Sequence, residues 1–161
     1  MLRRVISGGQ TGVDRAGLEA ARAVGIETGG SVPRGWKTEA GTDLSLRDFG
    51  VEPHTSSNYP ARTQHNVLNS DGTLIIGRFP LDGGSLYTQS LAWRAKKPWF
   101  AVFKLDEYNL QQAFEWIERK QISTLNVAGN RESKNPGLQR EAQAWLEKLF
   151  QAAKEQQADG N

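Results

Sequence analysis

Cysteine is absent from this 161-residue chain and methionine occurs once. Without thiols, disulfide cross-links, thiolate nucleophiles and thiolate metal sites are excluded together. Histidine is almost as scarce: only His54 and His65 stand beside the carboxylates, too few for a structural zinc site. A metal, if bound, has to arrive already ligated. Long apolar runs are missing as well, since stretches such as Thr73–Ile76 and Pro98–Phe103 fall far short of the roughly 18 residues that span a bilayer. The chain opens Met1-Leu2-Arg3-Arg4-Val5-Ile6-Ser7 and turns at once into Gly8 and Gly9, with no long apolar core before a cleavage site, so the expected location is the cytoplasm and no membrane partner is expected. Neither sign of charge is in excess: 20 Lys and Arg face 18 Asp and Glu, a formal charge of +2. The basic residues form no continuous run, which speaks against a nucleic-acid partner while leaving room for a local pocket that takes a small anion.

What is present is a regular alternation. Arg3–Ser7 reads as a β-rich run ending in glycines, and Val13, Gly17, Ala20, Ala21 and Val24 then recur at helical spacing until Gly25. A second strand is expected over Ile26–Val32. The passage from Pro33 to Asn58 reads as a long irregular loop, a length that usually means function or motion, and its Pro33-Arg34-Gly35 and Glu39-Ala40-Gly41 segments could form a lid. A weakly amphipathic helix follows over Tyr59–Asn69, then a fully buried strand over Gly72–Gly77. Asp82-Gly83-Gly84-Ser85 opens a helix in which Tyr87, Leu91 and Ala95 line one face. Pro98–Phe103 is the next strand, Leu110, Ala113, Phe114 and Ile117 mark a helix, Thr124–Ala128 a strand, and Leu138 to Phe150 the last helix. Strands alternating with helices imply parallel pairing through right-handed crossovers. The fold class is therefore α/β, a single-domain three-layer Rossmann-like fold with a mostly parallel sheet over residues 1–154, followed by a polar, frayed tail over 155–161.

In such a sheet ligands bind beyond the carboxyl ends of the strands, where helix N-termini present free amides. Three strand ends are unusual. The first is Ser7 followed by Gly8, Gly9, Gln10, Thr11, Gly12, Val13, Asp14 and Arg15, where glycines let backbone approach a ligand and Thr11 adds a hydroxyl; its spacing is neither a dinucleotide fingerprint nor a P-loop, and a tight turn with an Asp14 cap is the plainer alternative. The second is Gly83, Gly84 and Ser85 at a helix start. The third runs from Asn126 through Gly129, Arg131, Glu132, Ser133 and Lys134, with two cations able to make charge-assisted bonds to an anion. Tyr59, Arg62, Thr63, Asn66, Ser70 and Asp71 give the second helix a polar face that suits either a cleft wall, with Arg62 toward the ligand, or an ordinary surface. Trp36 could stack on a heterocycle, whereas His54 and His65 have no partner that suggests catalysis.

Ile6-Ser7-Gly8-Gly9-Gln10-Thr11-Gly12-Val13-Asp14-Arg15, Pro33 with Gly35 and Glu39, Arg62-Thr63 with Asn66, Ser70-Asp71-Gly72-Thr73, Gly83-Gly84, and Asn126-Val127-Ala128-Gly129 with Arg131-Glu132-Ser133 together resemble the molybdenum cofactor carrier protein family. The match runs in order along nearly the whole chain. It implies binding and protection of the molybdenum cofactor, a pyranopterin dithiolene with a terminal phosphate, as bound cargo and without chemical conversion. It also implies a homo-oligomer, dimer or tetramer, and as partners the proteins that make the cofactor or the molybdoenzymes that receive it. The residues agree with that cargo: phosphate suits helix N-termini, a pterin edge suits amides and carboxylates, and a dithiolene-held metal needs no cysteine. The family is similar in fold to cytokinin-activating phosphoribohydrolases and to the DNA-processing protein A domain, so a nucleotide-binding protein or weak nucleoside-monophosphate phosphoribohydrolase is the alternative. Those hydrolases carry a glutamate one helical turn beyond their glycine pair, where this chain has Ser90. A serine hydroxyl does not replace a carboxylate as acid or base near neutral pH, which favours a binder, unless Glu39 or Glu132 substitutes. Single-stranded DNA binding is disfavoured because no extended basic and aromatic track is present.

Overall fold

In the computed structural model, which describes residues 1–155, six parallel strands form one sheet in the order β5-β2-β1-β8-β6-β7. The elements run β1 (Arg4–Ile6), α1 (Val13–Ala23), β2 (Glu27–Val32), a two-stranded hairpin of β3 (Lys37–Thr38) and β4 (Gly41–Thr42), a 3-10 turn (Leu44–Phe49), and β5 (Val51–Pro53). They continue with α2 (Tyr59–Leu68), β6 (Gly72–Ile76), α3 (Gly83–Arg94), β7 (Trp99–Val102), α4 (Glu107–Arg119), β8 (Thr124–Gly129) and α5 (Leu138–Glu155). The tail expected from Glu155 lies, past that residue, outside the described residues. Among the described residues no helix is long and apolar enough to cross a membrane.

The layers follow from the handedness of the crossovers. From β1 the chain moves through α1 to β2 and on to β5; α2 then carries it back across the sheet to β6, and α4 returns it to β8, between β1 and β6. Helices α1, α4 and α5 pack together on one face, and α2 lies against α3 on the other. The main core sits under the first group, where Val5, Leu74 and Leu125 of the central strands meet Val13, Ile117, Leu146 and Phe150. Strand β6, flanked by β8 and β7, is buried at every residue, as its Thr-Leu-Ile-Ile run requires.

Two elements depart from the reading of the sequence. The passage from Pro33 to Asn58 is not irregular: it holds the hairpin, the 3-10 turn and β5, an edge strand paired with β2 from Gly30↔Val51 to Val32↔Pro53. A three-residue strand carrying Glu and Pro has the composition of a loop, and only an edge position tolerates it. The 3-10 turn drops Leu46 and Phe49 onto Leu18, Val32 and Val51, a second small core that holds the passage down. In α3 the buried side chains are Ser85, Thr88 and Ala92, not Tyr87, Leu91 and Ala95. Small residues face inward because α3 lies close against the sheet and α2, and Leu86 and Trp93 are left exposed.

Polar residues on α2 and just after it also find structural uses. Asn66 accepts from the Ser31 amide at 2.8 Å and donates to its carbonyl at 2.9 Å, pinning α2 to β2. Asp71 accepts from the amides of Ser123 and Thr124, tying the start of β6 to the start of β8.

Candidate functional site

The order in which strands are added reverses between β1 and β8, and their carboxyl ends open into a crevice beside the N-terminus of α3, the position at which open α/β sheets bind ligands. A cleft of about 280 Å³ lies there, lined among others by Gln10, Asp14, Tyr59, Arg62, Gly83, Gly84, Gly129 and Arg131. The loops singled out in the sequence thus converge, but their members do different things.

The first loop is largely occupied with itself. The amide of Gly9 donates to the Ser7 hydroxyl, that of Gln10 to Asp14 Oδ2, that of Thr11 to Gln10 Oε1, that of Gly12 to Gln139 Oε1, and that of Val13 to the Asn130 carbonyl. These glycines also answer to packing. A Cβ on Gly8 would lie 1.6 Å from Arg62 Nη1, one on Gly9 2.8 Å from Leu46 Cδ1, and one on Gly12 2.3 Å from the Asn130 carbonyl oxygen. Asp14 is not the cap of α1, whose N-cap is Gly12; it is a buried carboxylate in the first turn, 3.3 Å from Arg62 Nη1. Burial pushes the Asp14 pKa above its usual 3.8 against the pull of Arg62.

The α3 N-terminus is different. The Asp82 side chain does not cap it, and among the described residues the amides of Gly83 and Gly84 donate to no acceptor in the chain. Nothing lies within 4 Å of a Cβ built on Gly84. No packing demands glycine there, and its absent side chain leaves an open approach to a helix N-terminus. Ser85 is buried and donates to Asn130 Oδ1 at 3.1 Å, which joins the second loop to the third.

Cations complete the cleft. Arg62, Arg131 and Lys37 lie 5.6, 4.9 and 5.0 Å from the centre of the Tyr59 ring. Asp14 is the one acidic residue lining the cleft, and neither Arg131 nor Lys37 forms an ion pair among the described residues. Two buried donors, Gln10 Nε2 and Arg62 Nε, have no hydrogen-bond partner. Buried donors without acceptors are costly, and both belong to residues that line this cleft. A wider hollow of about 590 Å³, which Lys37, Ser57 and Gln64 help to line, shares Tyr59, Pro60 and Tyr87 with the cleft.

Most of the remaining residues named from the sequence sit outside the cleft. Thr11 donates its hydroxyl to Glu39 Oε1, and Ser133 donates to Glu39 through its amide at 3.2 Å and its hydroxyl at 2.6 Å. The β3–β4 hairpin is thereby latched across the first and third loops. Glu132 accepts from the amides of Gly137 and Gln139 and so serves the start of α5. Asn126 is buried within the sheet and donates to Thr73 Oγ1 across β6 and β8. Gly129 lines the cleft through backbone, and its Cβ would sit 2.0 Å from the Ile76 carbonyl oxygen. Lys134 is exposed and does not line the cleft. Ser90 donates to the Leu86 carbonyl on the outer side of α3. Asp14 and Tyr87 line the cleft without having been assigned to it from the sequence; Tyr59, read there as part of a helix face suited to either a cleft wall or a surface, lines it together with Arg62, three residues on.

A profile of the circularly permuted YpsA SLOG family matches residues 5–150. The chain belongs to this family. Among solved structures it is similar to that of a candidate molybdenum carrier protein from Syntrophus aciditrophicus SB, at 37% identity and a TM-score of 0.83, covering 92% of this chain and 94% of the other. No curated protein matches the chain. The resemblance read from the glycine loops and the α/β family fold are thus supported together.

Proposed function

We propose that this chain is a carrier of the molybdenum cofactor, binding it as cargo through the terminal phosphate. The observation that supports the reading most is the set of donors without acceptors around one cleft: the Gly83 and Gly84 amides, Gln10 Nε2, Arg62 Nε and the unpaired Arg131. They form a rigid anion site at a helix N-terminus, where charge-assisted bonds are strongest. At about 280 Å³ the inner cleft falls just below the range of whole-ligand pockets, so it suits a phosphate and not a complete pyranopterin. The heterocycle then extends over Tyr59 and Tyr87 into the wider hollow, where Lys37 meets its polar edge. The metal stays with the dithiolene of the cargo. The name of the Syntrophus relative supports the same reading. A homo-oligomer belongs to it too, and sedimentation measures that.

Asp14 is the observation that keeps a nucleotide-processing reading alive, because it is a carboxyl in the cleft with a raised pKa. Its pairing with Arg62 leaves it poorly placed as a base. The experiment mixes purified protein with cofactor, removes the unbound fraction by gel filtration and assays retained pterin and molybdenum, with adenosine monophosphate hydrolysis measured in parallel. Equal retention of pterin and metal without hydrolysis is expected. No retained pterin, or ribose phosphate release at about 1 per second as real enzymes show, overturns it.

A further inference from the structure

Trp93, in the last turn of α3, is 74% exposed, an unusual position for the largest apolar side chain. Beside it a groove of about 710 Å³ runs between the end of α3, the start of β7 and the end of α4. Its apolar surface comes from Trp93, Pro98, Trp99 and Trp116. Its charged groups are Arg94, Lys96, Lys97 and Lys120, and no acidic residue lines it. In a chain with 20 basic and 18 acidic residues, a wall holding four of one sign and none of the other is a concentrated charge, not an average surface. Lys97 is committed to the carbonyls of Leu68 and Ser70. Arg94, Lys96 and Lys120 have no ion-pair partner among the described residues. Strand β7 is the last of the sheet, so among the described residues no strand pairs with its outer edge.

These features select among occupants. A second copy meeting the groove across a two-fold axis would set like charges against like, with no carboxylate in the groove to relieve them. A single-stranded nucleic acid needs successive open rings on which bases stack, whereas Trp116 is only 3% exposed and Trp99 is half-buried. An extended peptide meets every feature: its backbone pairs with the β7 edge, its apolar side chains pack on tryptophan, and its carboxylates meet the cations. We propose that this groove docks an extended acidic segment of a partner protein, laid along the outer edge of β7. The groove lies at the C-terminal end of α3 and the anion cleft at its N-terminal end, so a docked partner leaves the cleft accessible. The proposal does not depend on the identity of the cargo.

The test uses the full chain and a short labelled peptide alternating glutamate with leucine, with a lysine–leucine peptide and an oligothymidine as comparisons. The acidic peptide is expected to bind, to perturb tryptophan fluorescence, and to weaken as salt rises. The double variant Lys96→Glu/Lys120→Glu is expected to weaken binding at least about tenfold, since losing charge-assisted contacts costs on that order. Trp93→Ser should weaken it comparably while the circular dichroism and melting profile stay unchanged, because the side chain is exposed. Binding indifferent to these variants, equal binding of the lysine peptide, or tighter binding of the oligothymidine each overturns the proposal. So does a parent protein that sediments as an oligomer which Trp93→Ser dissociates, because the occupant is then a second copy.

Discussion

Arg131 and Lys134 were equal candidates by composition, three residues apart in one polar loop. The structure separates them: Arg131 faces Tyr59 across the cleft, and Lys134 points to solvent. Replacing Arg131 by Ala should weaken cofactor retention by about 1.5–3 kcal/mol, the range for hydrogen bonds to charged groups, or at least tenfold. Lys134→Ala should stay within about twofold by the same measure. Competition gel filtration checks both, and equal losses would remove the distinction. The glycines divide in a similar way. Gly84→Val places a branched side chain in open space over the helix amides, so binding should fall while the fold survives. Gly129→Ala forces a Cβ into the Ile76 carbonyl and the Val13 side chain, so it should cost about 1–3 kcal/mol of stability as overpacking does, read by urea denaturation. The sequence shows that both positions are glycine. Only the neighbours show that one serves access and the other packing.

At the scale of elements the β3–β4 hairpin is the part whose role was least legible. Its segment suggested a lid, and it does cross the first loop, but through a carboxylate: Glu39 receives Thr11 from one side and Ser133 from the other. These partners are 28 and 94 residues away in the chain, so no local pattern announces them. Burial alone would raise the Glu39 pKa, but the bonds from Ser133 and Thr11 and the charge of Arg131 outweigh it and hold the value below 4.5. A carboxyl with a lowered folded pKa stabilises the structure fully above its unfolded value and loses that contribution as pH falls through the folded one. Hairpin amides should therefore keep their protection above pH 4.5 and lose it progressively in more acid solution. Glu39→Ala should show the loss already at neutral pH. Hydrogen exchange of the hairpin amides, normalised to those of β6, measures it; protection independent of pH and of the substitution would show that the latch contributes nothing. Helix α3 misled for a different reason. Its apolar residues suggested an inner face, yet Ser85, Thr88 and Ala92 face inward because a close-packed helix needs small side chains more than apolar ones.

For the molecule as a whole, one rigid sheet carries the cleft and the groove at opposite ends of α3. A ligand that binds only the folded state should stabilise it by about 2.7 kcal/mol at a hundredfold excess over its dissociation constant. For a domain of this size that corresponds to a melting temperature raised by roughly 5–10 °C. Scanning calorimetry with and without cofactor tests this, and Arg131→Ala should lose most of the shift. A comparable shift from free molybdate would contradict binding through the phosphate.

The sequence by itself determined the strand and helix alternation, the mostly parallel sheet, the fully buried strand β6 and the positions of the glycine loops. All of these rest on periodicities and turn residues within a few positions of one another. Tertiary structure decided which donors remain available. The first loop is the most glycine-rich, yet its amides from Gly9 to Val13 are taken by Ser7, Asp14, Gln10, Gln139 and Asn130, while the plainer Gly83–Gly84 pair stays open. It also added β5, whose three residues become a strand only because β2 offers them an edge. A hydrogen bond consumes a donor wherever its acceptor comes from, and the acceptor that closes Gly12 is 127 residues away. The binding surface is what those distant bonds leave unsatisfied.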